Sequence, residues 1–282
     1  MLFSILLERI AIMALLMAVG VYLSRKGFLS EQGSRDLGAI LLRIIIPCVI
    51  IKSYITEYSH QRLLELGLSA LLALISYVVA MLLSYLVFGQ RRRLENFAAA
   101  FCNAGFIGIP LVQAVVGQEG VFYIAASVAL LNLFQWTYGV YIMTGRKDTI
   151  SPKAIARNPV VISIVIGVAL FLSRVTLPGI LTSTLGYVAD MNTPVAMILM
   201  GTYLARLPLR RMLDRRAVGC VLMRLVVIPA AVGLVFWLMP VDNLPLMTAV
   251  FLTAAHPRWA PISACSPSST AATMSSAWSP YA

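Results

Sequence analysis

Apolar blocks of about 20 residues, the length needed to cross the hydrocarbon layer of a bilayer, recur along most of this chain. Examples are IAIMALLMAVGVYL at 10–23, ALLALISYVVAMLLSYLVF at 70–88 and PVVISIVIGVALFL at 159–172. In lipid no water is available to satisfy backbone N–H and C=O groups, so such blocks fold as helices that satisfy their own. Only 12% of the 282 residues are charged, whereas a soluble domain carries about a quarter. The fold class is therefore an all-α polytopic membrane protein. Nine spans are predicted at about 3–23, 37–55, 66–88, 97–116, 121–143, 159–177, 183–204, 217–239 and 246–256. The first lacks a basic leader and a small-residue cleavage site, and it reads as a retained helix.

The net charge of +11 would point to nucleic acid in a soluble protein. Here its placement gives a different answer, and no nucleic-acid partner is expected. The loops after the first, third, fifth and seventh spans hold fifteen Lys and Arg, among them Arg91, Arg92, Arg93, Arg210 and Arg211. The intervening loops hold three, Lys52, Arg62 and Arg174. Short basic loops stay cytoplasmic, which places the protein in the cytoplasmic membrane with its amino terminus outside. Five spans, a basic loop and then more spans imply two halves of odd helix number. Such halves sit in opposite orientations, the inverted-repeat plan of secondary transporters. The division falls into 1–150, a first five-helix repeat, and 151–255, an incomplete second one, with Pro47 and Pro194 in matching helices.

One stretch breaks the pattern. FCNAGFIGIP at 101–110 puts Asn103, Gly105, Gly108 and Pro110 inside the fourth span. Glycine loosens a helix, and proline removes a donor and clashes with the preceding turn. Backbone groups freed this way would each cost several kcal/mol (roughly) against lipid. They are tolerated only against protein or a water-filled cavity. Two half-helices meeting near the midplane would result, and a half-helix amino terminus suits a carboxylate. Asn103 can add a hydrogen bond there. The other reading is a kinked packing helix with glycine at a close contact.

The stretch NAGFIGIPLVQAVVG at 103–117 resembles the fourth-helix motif of the auxin efflux carrier family, whose bacterial members include permeases for malate, malonate and similar organic acids. VYLSRKGFLS, RNPVVISIVIGVALF at 157–171, NTPVAMILMGTYLA at 192–205 and RLVVIPAAV at 224–232 are similar to it as well. The resemblance runs from about residue 10 to about 255. It implies ten helices in two inverted five-helix repeats, with broken fourth and ninth helices crossing at the substrate site, and a homodimer. It also implies a carboxylate-binding role for Asn103, with Gly108 and Pro110 at the crossover.

The sequence departs from that pattern after residue 255. HPRWAPISACSPSSTAATMSSAWSPYA at 256–282 offers neither a Pro/Gly/Asn break nor a tenth helix. Its composition reads as a disordered polar tail. A shifted reading frame is the second reading, because the offset frame must encode glycine across Trp259 and Ala260 and permits a family-like ninth helix. If the shift is present in the cell, little or no transport is expected.

Further polar residues lie in or near the spans: Arg43, Asp190, Asn192, Arg224, Gln113, Asn132 and Gln135. A charge at the bilayer centre costs about 2.5–3.5 kcal/mol or more, so each is expected to face protein. Asp190, with Asn192 and Pro194 beside it, is a candidate coupling-ion site, or else a partner for Arg43 or Arg224. The two arginines could attract an anion or could snorkel towards a helix end. Tyr54, Tyr58, Trp136 and Trp237 read as interfacial anchors. The four cysteines and two histidines show no metal or disulfide spacing. No P-loop and no nucleophile–base grouping is visible, so neither a cofactor nor an enzyme activity is expected. The resulting function is a secondary transporter of small organic anions. A channel or a receptor-like binding protein is the alternative.

Overall fold

The computed structural model describes residues 2–101, 108–145, 156–206, 215–239 and 243–255, and everything regular in them is helical. Eleven helices follow in order: α1 (Leu2–Arg25), α2 (Glu31–Tyr54), α3 (His60–Phe88), α4 (Arg93–Ala100), α5 (Ile109–Val115) and α6 (Gln118–Thr144). Then come α7 (Pro159–Ser173), α8 (Gly179–Asp190), α9 (Asn192–Ala205), α10 (215–238) and α11 (Leu244–Ala255). Among the described residues four stretches are long and apolar enough to cross a membrane: α2, α3, α6 and Val218–Leu238 of α10.

Starts are set by caps. Ser30 Oγ accepts from Gly33 N–H at 3.0 Å and Ser59 Oγ from Arg62 N–H at 3.1 Å, each satisfying a donor that the first turn leaves orphaned. These caps carry α2 and α3 about six residues beyond the predicted starts at 37 and 66. Asn158 caps α7, its side chain accepting from Val160 N–H at 2.9 Å, with Pro159 at the first helical position where its missing N–H costs nothing.

The prolines act in two ways. Before Pro47 the helix widens over Leu41–Ile45, and Ile46 N–H reaches back five residues to Leu41 C=O. Before Pro229 the same occurs over Met223–Val227, with Ile228 N–H on Met223 C=O. A wider turn moves the carbonyl four residues back out of the proline ring's way. At Pro194 the helix breaks instead. Met191 (φ −70°, ψ −13°) is a turn residue whose N–H bonds only three residues back, to Val188 C=O at 3.2 Å, and this turn separates α8 from α9. Pro47 therefore resembles Pro229 in local form, and Pro194 differs from both. The predicted seventh span is two helices for the same reason.

The helices pack in two groups. In one, α1 lies along α9, α7 along α2, and α8 against α2. In the other, α3 packs on α4, α6, α10 and α11, while α10 also touches α4. The long α6 additionally contacts α2 and α7, joining the groups. The α1–α9 crossing is a main-chain contact: a Cβ added to Gly20 would stand 2.1 Å from Ile198 C=O, and one added to Gly201 would stand 2.0 Å from Met17 C=O. Small residues permit this approach, which drives association where no hydrophobic force separates helix from lipid. Tyr54 is 1% exposed and its ring presses on Gly167 of α7, where a Cβ would sit 2.4 Å away. It is a core residue and not the interfacial anchor expected from its place near a span end. Trp237, 79% exposed, stands on the outer surface of the bundle.

Gly201→Ala is expected to force α1 and α9 apart and to cost about 1–3 kcal/mol, the usual range for overpacking. Gly219→Ala, with nothing within 4 Å of the added carbon, should leave stability unchanged or slightly raised. Thermal unfolding of both variants in detergent checks the contrast.

Candidate functional site

The fourth predicted span is interrupted. Helix α4 ends at Ala100, where Phe101 turns to an extended conformation (φ −110°, ψ 139°), and helical backbone resumes at Gly108 before α5. Ile109 and Pro110 open α5; there the proline's missing donor is harmless. Both edges are enclosed by protein, with Ala100, Phe101 and Ile109 all 0% exposed. Gly108 and Pro110 are also buried. Asn103 and Gly105 lie outside the described residues.

A helix end inside a membrane bundle leaves carbonyls without partners. Arg224 supplies them. It sits in the widened turn of α10, is 2% exposed, and its Nη1 donates to Ala99 C=O at 3.1 Å and Ala100 C=O at 3.3 Å. Cys220, one turn earlier, faces Glu95 C=O at 3.8 Å. The arginine is thus neither a snorkelling group nor a partner of Asp190.

Asp190 pairs with Lys52 at 3.0 Å, linking α8 to α2. Its side chain is 63% exposed, and an ion pair so open to solvent contributes at most about 1 kcal/mol. Asn192, at the start of α9, is fully buried (0% exposed), and its side-chain amide has no hydrogen-bond partner among the described residues. Pro194 is exposed. Arg43 lies in the other widened turn and is exposed. The structure therefore does not gather Arg43, Asp190 and Arg224 into one cluster.

Between the two helix groups lies a crevice of about 360 Å³, lined on one side by Lys52, Ser53 and Thr182 and on the other by Arg62, Glu119 and Tyr123. Phe122 of α6 closes its floor against Tyr54 and Phe171, ring centroids 5.4 and 5.5 Å away. Beside it runs a network absent from the sequence reading. The Tyr123 hydroxyl stands 3.1 Å from Glu65 Oε2 and 3.0 Å from Glu119 Oε1. Glu65 Oε1 accepts from Asn243 and Gln61, both at 3.1 Å. The signal for it was weak: Glu65 sits just before the predicted start of its span, and Asn243 falls in a connection.

Halfway along α6, Asn132 meets Asn158. Asn158 Nδ2 donates to Asn132 Oδ1 at 3.1 Å, while Asn132 Nδ2 donates to Val128 C=O at 2.8 Å. Both are buried, and one bond between them and two to the backbone, of Val128 and Val160, satisfy their polar atoms. Gln113 and Gln135 are half-buried. Among the described residues no group of three or more His, Cys, Asp or Glu is placed to hold a metal ion.

A family model described as membrane transport protein matches residues 5–277. That stretch reaches well into the polar tail set apart by the sequence reading. A protein of Methanothermobacter thermautotrophicus described as an uncharacterized transporter is 26% identical over 206 residues, 69% of this chain and 66% of that protein. The chain thus spans just under two thirds of that relative's length.

Tyr123→Phe removes the donor between the two carboxylates. The expected loss is about 1 kcal/mol of stability, read as a lower unfolding midpoint in detergent; an unchanged midpoint would show the contact to be energetically idle.

Proposed function

This chain belongs to the membrane transport protein family, that of the auxin efflux carriers, and from that premise we propose a secondary transporter of small organic anions working by alternating access. The observation that carries the reading is the interruption between Ala100 and Gly108. A bilayer-spanning segment keeps such a break only where it is buried in protein or lines a water-filled cavity. Both of its edges are enclosed by protein, and broken helices of this kind form the substrate sites of many transporters. Asn103 is assigned the carboxylate contact there, with Gly105, Gly108 and Pro110 shaping the break. A malate- or malonate-like acid is the substrate class. The partners are this anion, the lipid bilayer and a second copy of the chain.

The packing supports two inverted repeats, 1–150 and 151–255. Exchanging the halves carries the contact of α1 with α9 into that of α7 with α2, and both contacts are extensive. The crevice opens between α2 and α8 on one side and α3 and α6 on the other, above the ring contact of Tyr54 with Phe122, and this opening supports relative movement of the groups. The loop charges put this crevice on the outer face, in a cytoplasmic membrane with the amino terminus outside. Lys52–Asp190 is assigned to its rim.

Three outcomes test this. Saturable uptake of malonate into proteoliposomes should fall at least tenfold in Asn103→Ala, and unaffected uptake would move the site elsewhere. Thr182→Cys should react with a membrane-impermeant thiol reagent added outside intact cells, and a cysteine at Arg92 only after permeabilisation; the reverse pattern inverts the topology. For the tail, we retain the shifted frame as the second reading. A frame-restored chain should then transport well above this one, and equal uptake would remove any role for the shift.

A further inference from the structure

Helix α3 carries an exposed apolar face that runs into three consecutive arginines. Leu71, Leu74, Val78, Leu82 and Leu86 are all exposed, and their spacing of three or four residues puts them on one side of the helix. Val78, Leu82 and Leu86 cover about 12 Å along the axis, within the roughly 15 Å of hydrocarbon in one leaflet. Tyr85 is exposed beside them, an aromatic where the apolar span gives way to a polar turn. Arg91, Arg92 and Arg93 follow, and all three are exposed.

The turn that carries the arginines is held in place. Gly89 takes a positive φ of 57°, which glycine reaches without strain, and its N–H donates to Tyr85 C=O at 2.8 Å. Arg92 N–H donates to Phe88 C=O at 3.3 Å, and Asn96 Nδ2 to Gly89 C=O at 3.1 Å. Arg93 Nε donates to Gln90 C=O at 3.4 Å, with its guanidinium lying against Gly145 at the end of α6. The side chains of Arg91 and Arg92 have no hydrogen bond or ion pair among the described residues. Glu95, the nearest acid in the sequence, is buried against Cys220 of α10.

Three like charges fixed within one turn repel one another, and an anion among them relieves that repulsion. A guanidinium takes a phosphate through two parallel N–H···O bonds. A phospholipid with net negative charge satisfies both parts of this face at once. A second copy of the chain fits it less well, because acids in the loop on the same side are engaged: Glu31 pairs with Arg35, and Asp36 accepts from Gln32.

We propose that this face binds an anionic phospholipid of the cytoplasmic leaflet. Arg91, Arg92 and Arg93 hold the phosphate, and an acyl chain lies along Val78, Leu82 and Leu86. The site is separate from the crevice and from the break, and it does not depend on which solute is carried.

The full-length chain is reconstituted with equal amounts of phosphatidylglycerol and phosphatidylcholine, and the lipid it retains is read by native mass spectrometry. Each juxtamembrane arginine strengthens attraction to an anionic lipid about fivefold, so the wild type should retain phosphatidylglycerol at least tenfold over phosphatidylcholine. Arg91→Gln combined with Arg92→Gln should cut that preference at least fivefold. Arg25→Gln combined with Lys26→Gln, at exposed positions in another loop, should keep it. No loss in the first variant, or equal loss in both, overturns the site. A phosphatidylglycerol analogue with a photoreactive headgroup needs no substitution: it should label residues 85–93 of the wild type, and labelling elsewhere alone overturns the proposal. Inorganic phosphate that raises the unfolding midpoint as much as the lipid does would make this a free-anion site. Leu82→Cys should form no disulfide between chains on oxidation; an efficient one puts a second copy on the face and overturns the lipid.

Discussion

Every irregularity in this bundle is governed by one constraint: a peptide group in hydrocarbon must find its partner inside the protein. Where the chain keeps regular helix, the constraint is met automatically. Where it departs, a specific device answers. Wide turns before Pro47 and Pro229 re-pair N–H groups five residues back. Asn158 accepts from the first turn of α7. At Ala100 no helical partner remains, and a guanidinium from a distant part of the sequence takes the free carbonyls. That last device differs in kind, because it brings a permanent charge into the bundle. A kink needed only for packing could have been closed without one.

Side-chain chemistry is spent along the seam between the helix groups. The Tyr54, Phe122 and Phe171 rings meet near the start of α6, and the Asn132–Asn158 pair sits at its middle. The faces turned outward are plainly apolar: Ile180, Tyr187, Leu234 and Trp237 are all more than half exposed, as lipid contact allows. Several polar groups gather at the crevice, along the seam and at the end of α4. Such a distribution separates a scaffold surface from a working interior without any cofactor to mark it.

Much of the architecture could be read from the chain because hydrophobic length is a local property. The spans needed no knowledge of partners, and the interruption at 101–110 announced itself through residues that cannot continue a helix. What escaped were the features that depend on who sits opposite. Lys52 and Asp190 are 138 positions apart, and neither residue type names its mate. Pro47 and Pro194 look alike in sequence, yet the helix widens before one and passes through a turn before the other. Tyr54 was misplaced because an aromatic near a span end serves equally as an anchor or as core, and only Gly167 opposite settles which. For the candidate site, the helix ends and Arg224's role come from the fold; the assignment to Asn103 still stands on sequence.

The glycine contact between α1 and α9 has a thermodynamic corollary. Most protein seams draw their strength from expelled water and so carry a large heat-capacity signature. Here main chain lies on main chain, in a medium that offers no water to expel. Cohesion then comes from dispersion and weak Cα–H···O attraction, which are enthalpic and vary little with temperature. Parting these two helices should contribute almost no curvature to a calorimetric trace, and this pair should resist cold as well as it resists heat.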